Sequence, residues 1–123
     1  MAEKKMYKVE IITRCEKFDD LKKALNEIGV DGMTVYRVEG CGAQGGYTTY
    51  YRGVKREIQL IKKIKVDVFI CETPLEKLME TVKEVLYTGE YGDGKVFVSE
   101  ICDAMRIRTG ERGEAAFIGP CEC

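Results

Sequence analysis

The hydrophobic pattern at the start of the chain predicts a strand, a helix and a second strand. Met6–Thr13 alternates and then becomes apolar, as a strand buried on at least one face does. From Phe18 to Ile28 the apolar residues recur at helical spacing, with aspartates near the start and Gly29 just past the end. Residues 33–38 are rich in β-branched side chains and alternate again, so we expect a second strand there.

The same order of elements returns after an interruption. Residues 57–71 alternate as a long third strand, and Thr-Pro-Leu-Glu at 73–76 predicts a capping box that begins a helix. The apolar stripe of this helix runs from Leu75 to Leu86, Gly89 ends it, and a fourth strand follows at 96–98. The order predicts an α+β domain with the ferredoxin-like βαββαβ fold, in which both helices cover one face of an antiparallel sheet.

The interruption, residues 40–55, is rich in glycine and tyrosine and has no hydrophobic period. Long loops without their own secondary structure are uncommon in compact domains and are usually functional or disordered. Tyrosine and arginine side chains on a mobile loop are frequent anchors of protein interfaces. These residues favour a partner-binding loop over a disordered excursion.

Residues 88–98, T-G-E-Y-G-D-G-K-V-F-V, combine glycines with one lysine directly before a strand. Glycines let successive amides converge on an anion, and a lysine adds a mobile positive charge. The stretch is not a P-loop, because Val96 stands where a magnesium-binding hydroxyl is required and a strand follows instead of a helix. It predicts a loop for nucleotide phosphates, with an ordinary helix-to-strand turn as the alternative.

A pair of arginines, Arg106 and Arg108, follows the fourth strand. In an extended segment this spacing would place both guanidinium groups on one side. Arginine binds phosphate through two parallel hydrogen bonds, so the pair suggests a phosphate clamp. A solvated strand edge is the alternative.

Composition narrows the classes of function. The net charge is -1, with 20 basic and 21 acidic residues, which gives no general attraction to nucleic acid or anionic lipid. The chain has no histidine, which removes the usual nucleophile systems, and its six cysteines include no C-x-x-C pair. No stretch resembles a signal peptide or a membrane span, so we expect a cytoplasmic protein, and the length of 123 residues predicts a single domain. Because the usual nucleophile systems are missing, we expect that the protein is not an enzyme and that it hydrolyses ATP slowly at most.

Three separated motifs together resemble the PII nitrogen-regulatory signal-transduction proteins: residues 29–35, the glycine-rich stretch 88–98, and 106–111. The resemblance runs from about residue 6 to 111. It implies a homotrimer that binds ATP or ADP between subunits and binds 2-oxoglutarate beside ATP through Mg. It also implies a ferredoxin-like domain at 1–112 with a mobile loop, the T-loop, at about 40–56, and a C-terminal tail at 113–123 that includes Cys121 and Cys123.

The resemblance assigns roles by position. The implied nucleotide ligands are Thr34, Gly40, Cys41, Gly42, Gly92, Asp93, Gly94, Lys95, Arg106 and Arg108. Gln44 would ligate the Mg, Lys63 would meet a carboxylate of 2-oxoglutarate, and Thr34 would contact the base across a subunit interface. Tyr47, Tyr51 and Arg52 would bind a regulatory target, such as an ammonium transporter or a nitrogen-assimilation enzyme.

Two positions depart from the family pattern. Arg56 occupies the position of the tyrosine that is uridylylated in the family, so this modification is chemically impossible there. Ala43 replaces an arginine that commonly precedes the glutamine, which removes one phosphate contact. The nearest alternative is therefore a PII-like regulator of the nitrogenase-associated branch or of another divergent branch, with a different effector response.

Two other classes of function share part of the pattern. The RNA-recognition motif has the same topology, but the net charge and the lack of a second stacking motif argue against RNA binding. A nucleotide hydrolase would need a catalytic base or a P-loop, and the sequence offers neither.

Overall fold

The computed structural model describes residues 5–41, 47–51, 54–58 and 60–117, with 47–51 and 54–58 described by their backbone. Within these residues there are six strands, two α-helices and two short 3-10 helices. The strands are β1 Met6–Thr13, β2 Thr34–Gly40, β3 Tyr47–Tyr51, β4 Val54–Ile58, β5 Ile61–Ile70 and β6 Lys95–Ile101. The helices are α1 Phe18–Glu27, α2 Leu75–Leu86, and the 3-10 turns Cys15–Lys17 and Gly113–Phe117.

The main sheet has the order β2-β5-β1-β6, and every neighbouring pair is antiparallel. Alternate residues of the central strands, such as Val9, Ile11, Val66 and Val68, are buried against the two helices. Both helices therefore cover one face of the sheet, which confirms the predicted ferredoxin-like topology. The other face carries the intervening residues of each strand, and we call it the open sheet face.

Helix α1 ends as its sequence predicts. Gly29 has φ +89°, its amide donates to Asn26 O (3.0 Å), and the amide of Val30 donates to Leu25 O (2.9 Å). These two bonds form a Schellman motif, in which the left-handed residue after the helix is usually glycine. Leu25 and Val30 are both buried in the core, so the motif also closes a hydrophobic contact.

The start of helix α2 differs from the prediction, and the capping box at 73–76 is wrong. Pro74 is the N-cap, with φ -61° and ψ 130°, and its carbonyl accepts from the amide of Leu78 (3.1 Å). The extended ψ keeps Pro74 outside the helix. Thr73 therefore lies one residue before the N-cap position that the predicted capping box gave it. No side-chain hydrogen bond caps the helix at this position.

The lack of a hydrophobic period at 40–55 predicts a loop without secondary structure, and this prediction is wrong. Strand β3 pairs antiparallel with β4, from Tyr47 opposite Ile58 to Tyr51 opposite Val54. Tyrosine, threonine and valine are favourable strand residues, and the two strands pair with each other in a separate two-stranded sheet instead of joining the main sheet. The predicted strand at 57–71 is consequently two strands, since residues 57 and 58 belong to β4 and β5 begins at Ile61.

Candidate functional site

The loop between α2 and β6, residues 88–95, is held together by a carboxylate at its centre, and we call it the anion loop. Asp93 Oδ2 accepts from the amides of Thr88 (2.8 Å) and Gly89 (3.0 Å), and Asp93 Oδ1 accepts from the Thr88 hydroxyl. The Thr88 hydroxyl, helped by these amides and by Arg14, holds the pKa of Asp93 below its ordinary value. The carboxylate therefore works inside the loop and leaves anion binding to other groups.

Three successive carbonyls of the anion loop face the end of the main sheet. The bonds are Arg14 Nη2 to Tyr91 O (2.8 Å), Lys63 Nζ to Gly92 O (2.7 Å) and Thr13 Oγ1 to Asp93 O (2.8 Å). The chain has no cis peptide among its described residues, and a trans peptide holds its C=O and N–H on opposite sides. The amides that follow these carbonyls must therefore point to the other side of the loop, where successive N–H groups can converge on an anion.

Glycine is required where the anion loop meets strand β1. Gly94 has φ +111°, and a Cβ at this residue would lie 1.8 Å from Ile12 O. Such a distance is far inside van der Waals contact, so only glycine allows the backbone to approach the strand this closely. Gly92 also has positive φ, 102°, which suits a loop that turns its amides outward.

Cations surround the anion loop. Lys63 is partly withdrawn from solvent, and this burial, followed by the positive charge of Arg14, lowers the pKa of its ammonium group. Lys95 lies exposed at the first residue of β6. A bound anion would offset the mutual repulsion of Arg14 and Lys63, so this end of the sheet favours negatively charged ligands.

A cavity of about 1100 Å³ lies beside the ends of β2 and β5, away from the anion loop. We call it the arginine cavity; among its lining residues are Thr34, Asp67, Arg106, Arg108, Ala116 and Phe117. The sequence predicts an extended segment at these arginines, and this prediction is wrong. The amide of Gly110 donates to Arg106 O (2.7 Å) and the amide of Arg106 to Glu111 O (2.9 Å), which makes a tight turn. The turn still places both arginines on the cavity, and Arg106 Nη2 also donates to Ala116 O (3.0 Å).

Asp67 is a site residue that the sequence analysis missed. It is 3% exposed, and its Oδ1 has no hydrogen-bond partner among the described residues. The nearest cations are Lys65 Nζ, 3.7 Å from Oδ1, and Lys8 Nζ, 4.0 Å from Oδ2. An acid between Val66 and Val68 in an apolar strand was the signal that could have identified it, because a buried carboxylate needs polar partners.

The structure sorts the predicted nucleotide ligands into two groups. Thr34, Arg106 and Arg108 meet at the arginine cavity, whereas Gly92, Asp93, Gly94 and Lys95 lie in the anion loop, where the predicted 2-oxoglutarate ligand Lys63 joins them. Thr34 pairs with Asp67, and Lys63 lies four residues earlier on β5, about 13 Å away along the strand. One chain thus carries the predicted ligands in two separate groups along the same strand.

The other predicted site residues lie at or beyond the end of β2. Gly40 pairs with Ile61, and Cys41 follows it as an exposed residue. Tyr47 and Tyr51 bound strand β3. Gly42, Gln44 and Arg52, together with the terminal Cys121 and Cys123, lie outside the described residues.

The part of the chain that the structure describes shows neither a cluster of metal ligands nor a membrane-spanning helix. No group of three or more acidic, cysteine or histidine side chains there is placed to hold a metal ion. In the same residues no helix is long and apolar enough to cross a membrane.

Comparison with known proteins gives one family. The family model described as nitrogen regulatory protein P-II matches residues 6–111. A nitrogen regulatory PII-like protein of Bacillus subtilis is 46% identical over 111 residues, which is 90% of this chain and 96% of that protein. A solved B. subtilis GlnK–ATP complex has TM-score 0.77 and 37% identity, covering 94% of this chain and 99% of that one. Arabidopsis thaliana PII bound to citrate has TM-score 0.73 and 36% identity, covering 92% of each chain.

Proposed function

Because the chain belongs to the nitrogen regulatory protein P-II family, we propose that it senses ATP or ADP together with 2-oxoglutarate and regulates nitrogen-metabolism proteins by binding them. The observation that carries this proposal is the separation of the anion loop from the arginine cavity. A nucleotide needs both groups of ligands, one for its phosphates and one for its base and remaining charge. Two copies of the chain supply both groups when the loop of one faces the cavity of the other.

The open sheet face supports an assembly of copies. Phe69 and Phe97 lie on it and are 47% and 50% exposed, and Tyr36 is 44% exposed. Their registers place them beside charged neighbours, since Phe69 pairs with Lys8 and Phe97 pairs with Glu10. Large exposed aromatic side chains grouped on one face are typical of a surface that another subunit covers. We assign it to a homotrimer, in which each nucleotide site lies between two subunits.

The nucleotide would bind across this interface. Its phosphates would accept from the amides of Gly92 to Gly94 and pair with Lys95, while Arg106 and Arg108 of the neighbouring subunit would reach them from the cavity. Thr34 of that neighbour would contact the base, and Gly40, Cys41 and Gly42 would complete the site at the end of β2. The B. subtilis GlnK solved with ATP supports this use of the fold.

The effector site would lie beside the phosphates. A dianion next to a triphosphate is repelled unless a divalent cation neutralises both, and Mg²⁺ prefers oxygen ligands from phosphate and carboxylate groups. Gln44 would offer its carbonyl oxygen to the ion and Lys63 would pair with the distal carboxylate. Lys63 fits this role because it already lies at the anion loop, 2.7 Å from Gly92 O. The Arabidopsis relative bound to citrate supports a carboxylate ligand on this fold.

The T-loop would transmit the state of this site to a target protein. Its described part is the hairpin of β3 and β4, and Gln44 lies between β2 and that hairpin in the sequence. Tyr47, Tyr51 and Arg52 would be the contacts, with Arg52 as the anchor. ADP lacks the phosphate that completes the metal shell, so it would favour a different loop ensemble and different partners. The expected target is an ammonium transporter, bound from its cytoplasmic side, or a nitrogen-assimilation enzyme.

Calorimetry tests the proposal. We expect 2-oxoglutarate to bind with MgATP present, and not with ADP or when Mg is removed. Gln44→Ala should abolish this binding, whereas Arg56→Ala in the same loop is the matched control and should leave it unchanged. Binding of 2-oxoglutarate that persists with ADP, without Mg, or in Gln44→Ala at wild-type strength would exclude the mechanism.

A further inference from the structure

The last residue of β1, Thr13, is a polar side chain in the hydrophobic core. It is fully buried, and Asp67 is the other buried polar residue that the described chain contains. Thr13 follows Val9 and Ile11 on the face of the strand that packs against the helices. A buried hydroxyl needs a hydrogen-bond partner, and Thr13 Oγ1 donates to Asp93 O at 2.8 Å.

This hydrogen bond and the close approach of Gly94 act on the same peptide unit. The carbonyl of this unit belongs to Asp93, and it accepts the hydrogen bond from the Thr13 hydroxyl. On the other side of the unit, the Cα of Gly94 is pressed against β1 so closely that an added Cβ would lie 3.0 Å from Thr13 Cα. Together they fix which way the amide of Gly94 points, and this is one of the amides available to an anion.

The other two donors to the anion loop are less constrained than Thr13. Arg14 divides its charge between Tyr91 O and the Asp93 carboxylate, which is 3.7 Å away, and Lys63 is a long, flexible cation that a bound anion would attract. Thr13 is short, uncharged and β-branched, so its χ1 is restricted, and its burial leaves it no solvent to bond instead. Its hydroxyl is the donor that keeps its place when an anion arrives.

We propose that Thr13 is a positioning residue for phosphate binding: its hydroxyl, without touching the ligand, holds the peptide between Asp93 and Gly94 in the orientation that binds an anion. The inference rests on the proposed nucleotide site. It adds a group from the hydrophobic core to a site otherwise made of loop amides and cations.

Two substitutions separate the hydroxyl from the shape of the side chain. Thr13→Val keeps the branched shape and removes the hydroxyl, and Thr13→Ser keeps the hydroxyl. We expect Thr13→Val to raise the Kd for ATP about three- to tenfold, the effect of losing one neutral hydrogen bond, and Thr13→Ser to stay near wild type. Thr81→Val is the matched control, because the Thr81 hydroxyl donates to Lys77 O at the same distance, 2.8 Å, on helix α2.

Amide hydrogen exchange of the ligand-free protein supplies the second readout. Thr13→Val should speed exchange at residues 92–94 while the amides of the main sheet keep their protection. If Thr13→Val fails to fold, Thr13→Ala, which cannot crowd the core, takes its place in both measurements. Equal ATP affinity in wild type and Thr13→Val, or equal loss in Thr13→Ser and Thr13→Val, would overturn the role of the hydroxyl.

The two measurements also distinguish this inference from the proposed function. A wild-type protein that does not bind ATP contradicts the proposed function. In that case exchange at 92–94 still decides whether Thr13 orients the loop, since unchanged exchange in Thr13→Val contradicts the positioning role by itself.

Discussion

Residue 94 has to be glycine, because two separate constraints meet there. Alanine would have to keep φ +111° and place its Cβ 1.8 Å from Ile12 O, so the loop must move away from the strand. We expect Gly94→Ala to lower the free energy of unfolding by at least about 2 kcal/mol and to abolish ATP binding. Urea denaturation and calorimetry measure the two effects. Wild-type ATP affinity in this variant would show that the loop does not need its position against β1.

Asp93 links the anion loop to pH. The pKa of Asp93 in the folded protein lies below the ordinary value of 3.8. The contribution of its carboxylate to stability is therefore fully present above pH 3.8, and it is lost as the pH falls through the lower, folded pKa. We expect the amides of Thr88 and Gly89 to lose hydrogen-exchange protection in that acidic range. Asp93→Ala should open the loop at neutral pH, because it removes both oxygens that accept from Thr88 and Gly89. Protected amides at 88 and 89 in Asp93→Ala would contradict this role of the carboxylate.

At the scale of single residues, the sequence predicts the groups that lie on a loop better than those that lie in a strand. The glycines and Lys95 stand out because glycine and lysine before a strand have a direct interpretation as an anion loop. Thr13 and Asp67 lie inside alternating strands, where a polar residue normally faces solvent. Their burial depends on what the neighbouring strands and loops place over them, which no local pattern encodes.

Helix α1 offers a test at the scale of one element. A Cβ at Gly29 would meet no atom within 4 Å, so Gly29→Ala carries only the cost of the left-handed conformation. We expect the free energy of unfolding to fall by about 1–2 kcal/mol, measured by urea denaturation. Asn26→Ala, one turn earlier on the exposed side, should change it by less than about 0.5 kcal/mol. An unchanged stability in Gly29→Ala would mean that the Schellman motif does not hold the helix end.

The elements themselves follow from hydrophobic periodicity wherever they join the common core. Strands β1 and β5 and both helices bury one face against each other, Val96 of β6 packs against this core, and the periods of two or 3.6 residues are visible in the sequence. The hairpin of β3 and β4 pairs only with itself, so it shows no core-directed period and was predicted as a loop. The start of α2 was missed by one residue because proline fits either the N-cap or the first turn.

For the whole molecule, the order of elements was sufficient to predict the fold, because few topologies connect this order without crossing connections. The assembly could not be predicted in the same way. Residues on the open sheet face alternate with core residues exactly as solvent-facing residues would, so the pattern does not distinguish water from a second subunit. The structure shows that the anion loop and the arginine cavity lie at separate places along β5, and the proposed assembly brings the loop of one copy to the cavity of another.

Mixed trimers test this central claim most directly. One variant, Lys63→Ala/Lys95→Ala, loses the cations of the anion loop, and a second, Arg106→Ala/Arg108→Ala, loses those of the arginine cavity. Each alone should remain trimeric by light scattering and bind ATP weakly. The two variants are coexpressed with different tags, and the mixed trimers are isolated. An intact site should form at each interface where the unmutated anion loop of one copy meets the unmutated arginine cavity of the other. Every mixed trimer has one such interface out of its three, whichever variant supplies two of the copies. ATP binding at wild-type affinity in that fraction of sites is the predicted result, and no recovery in mixed trimers would show that each chain builds its site alone.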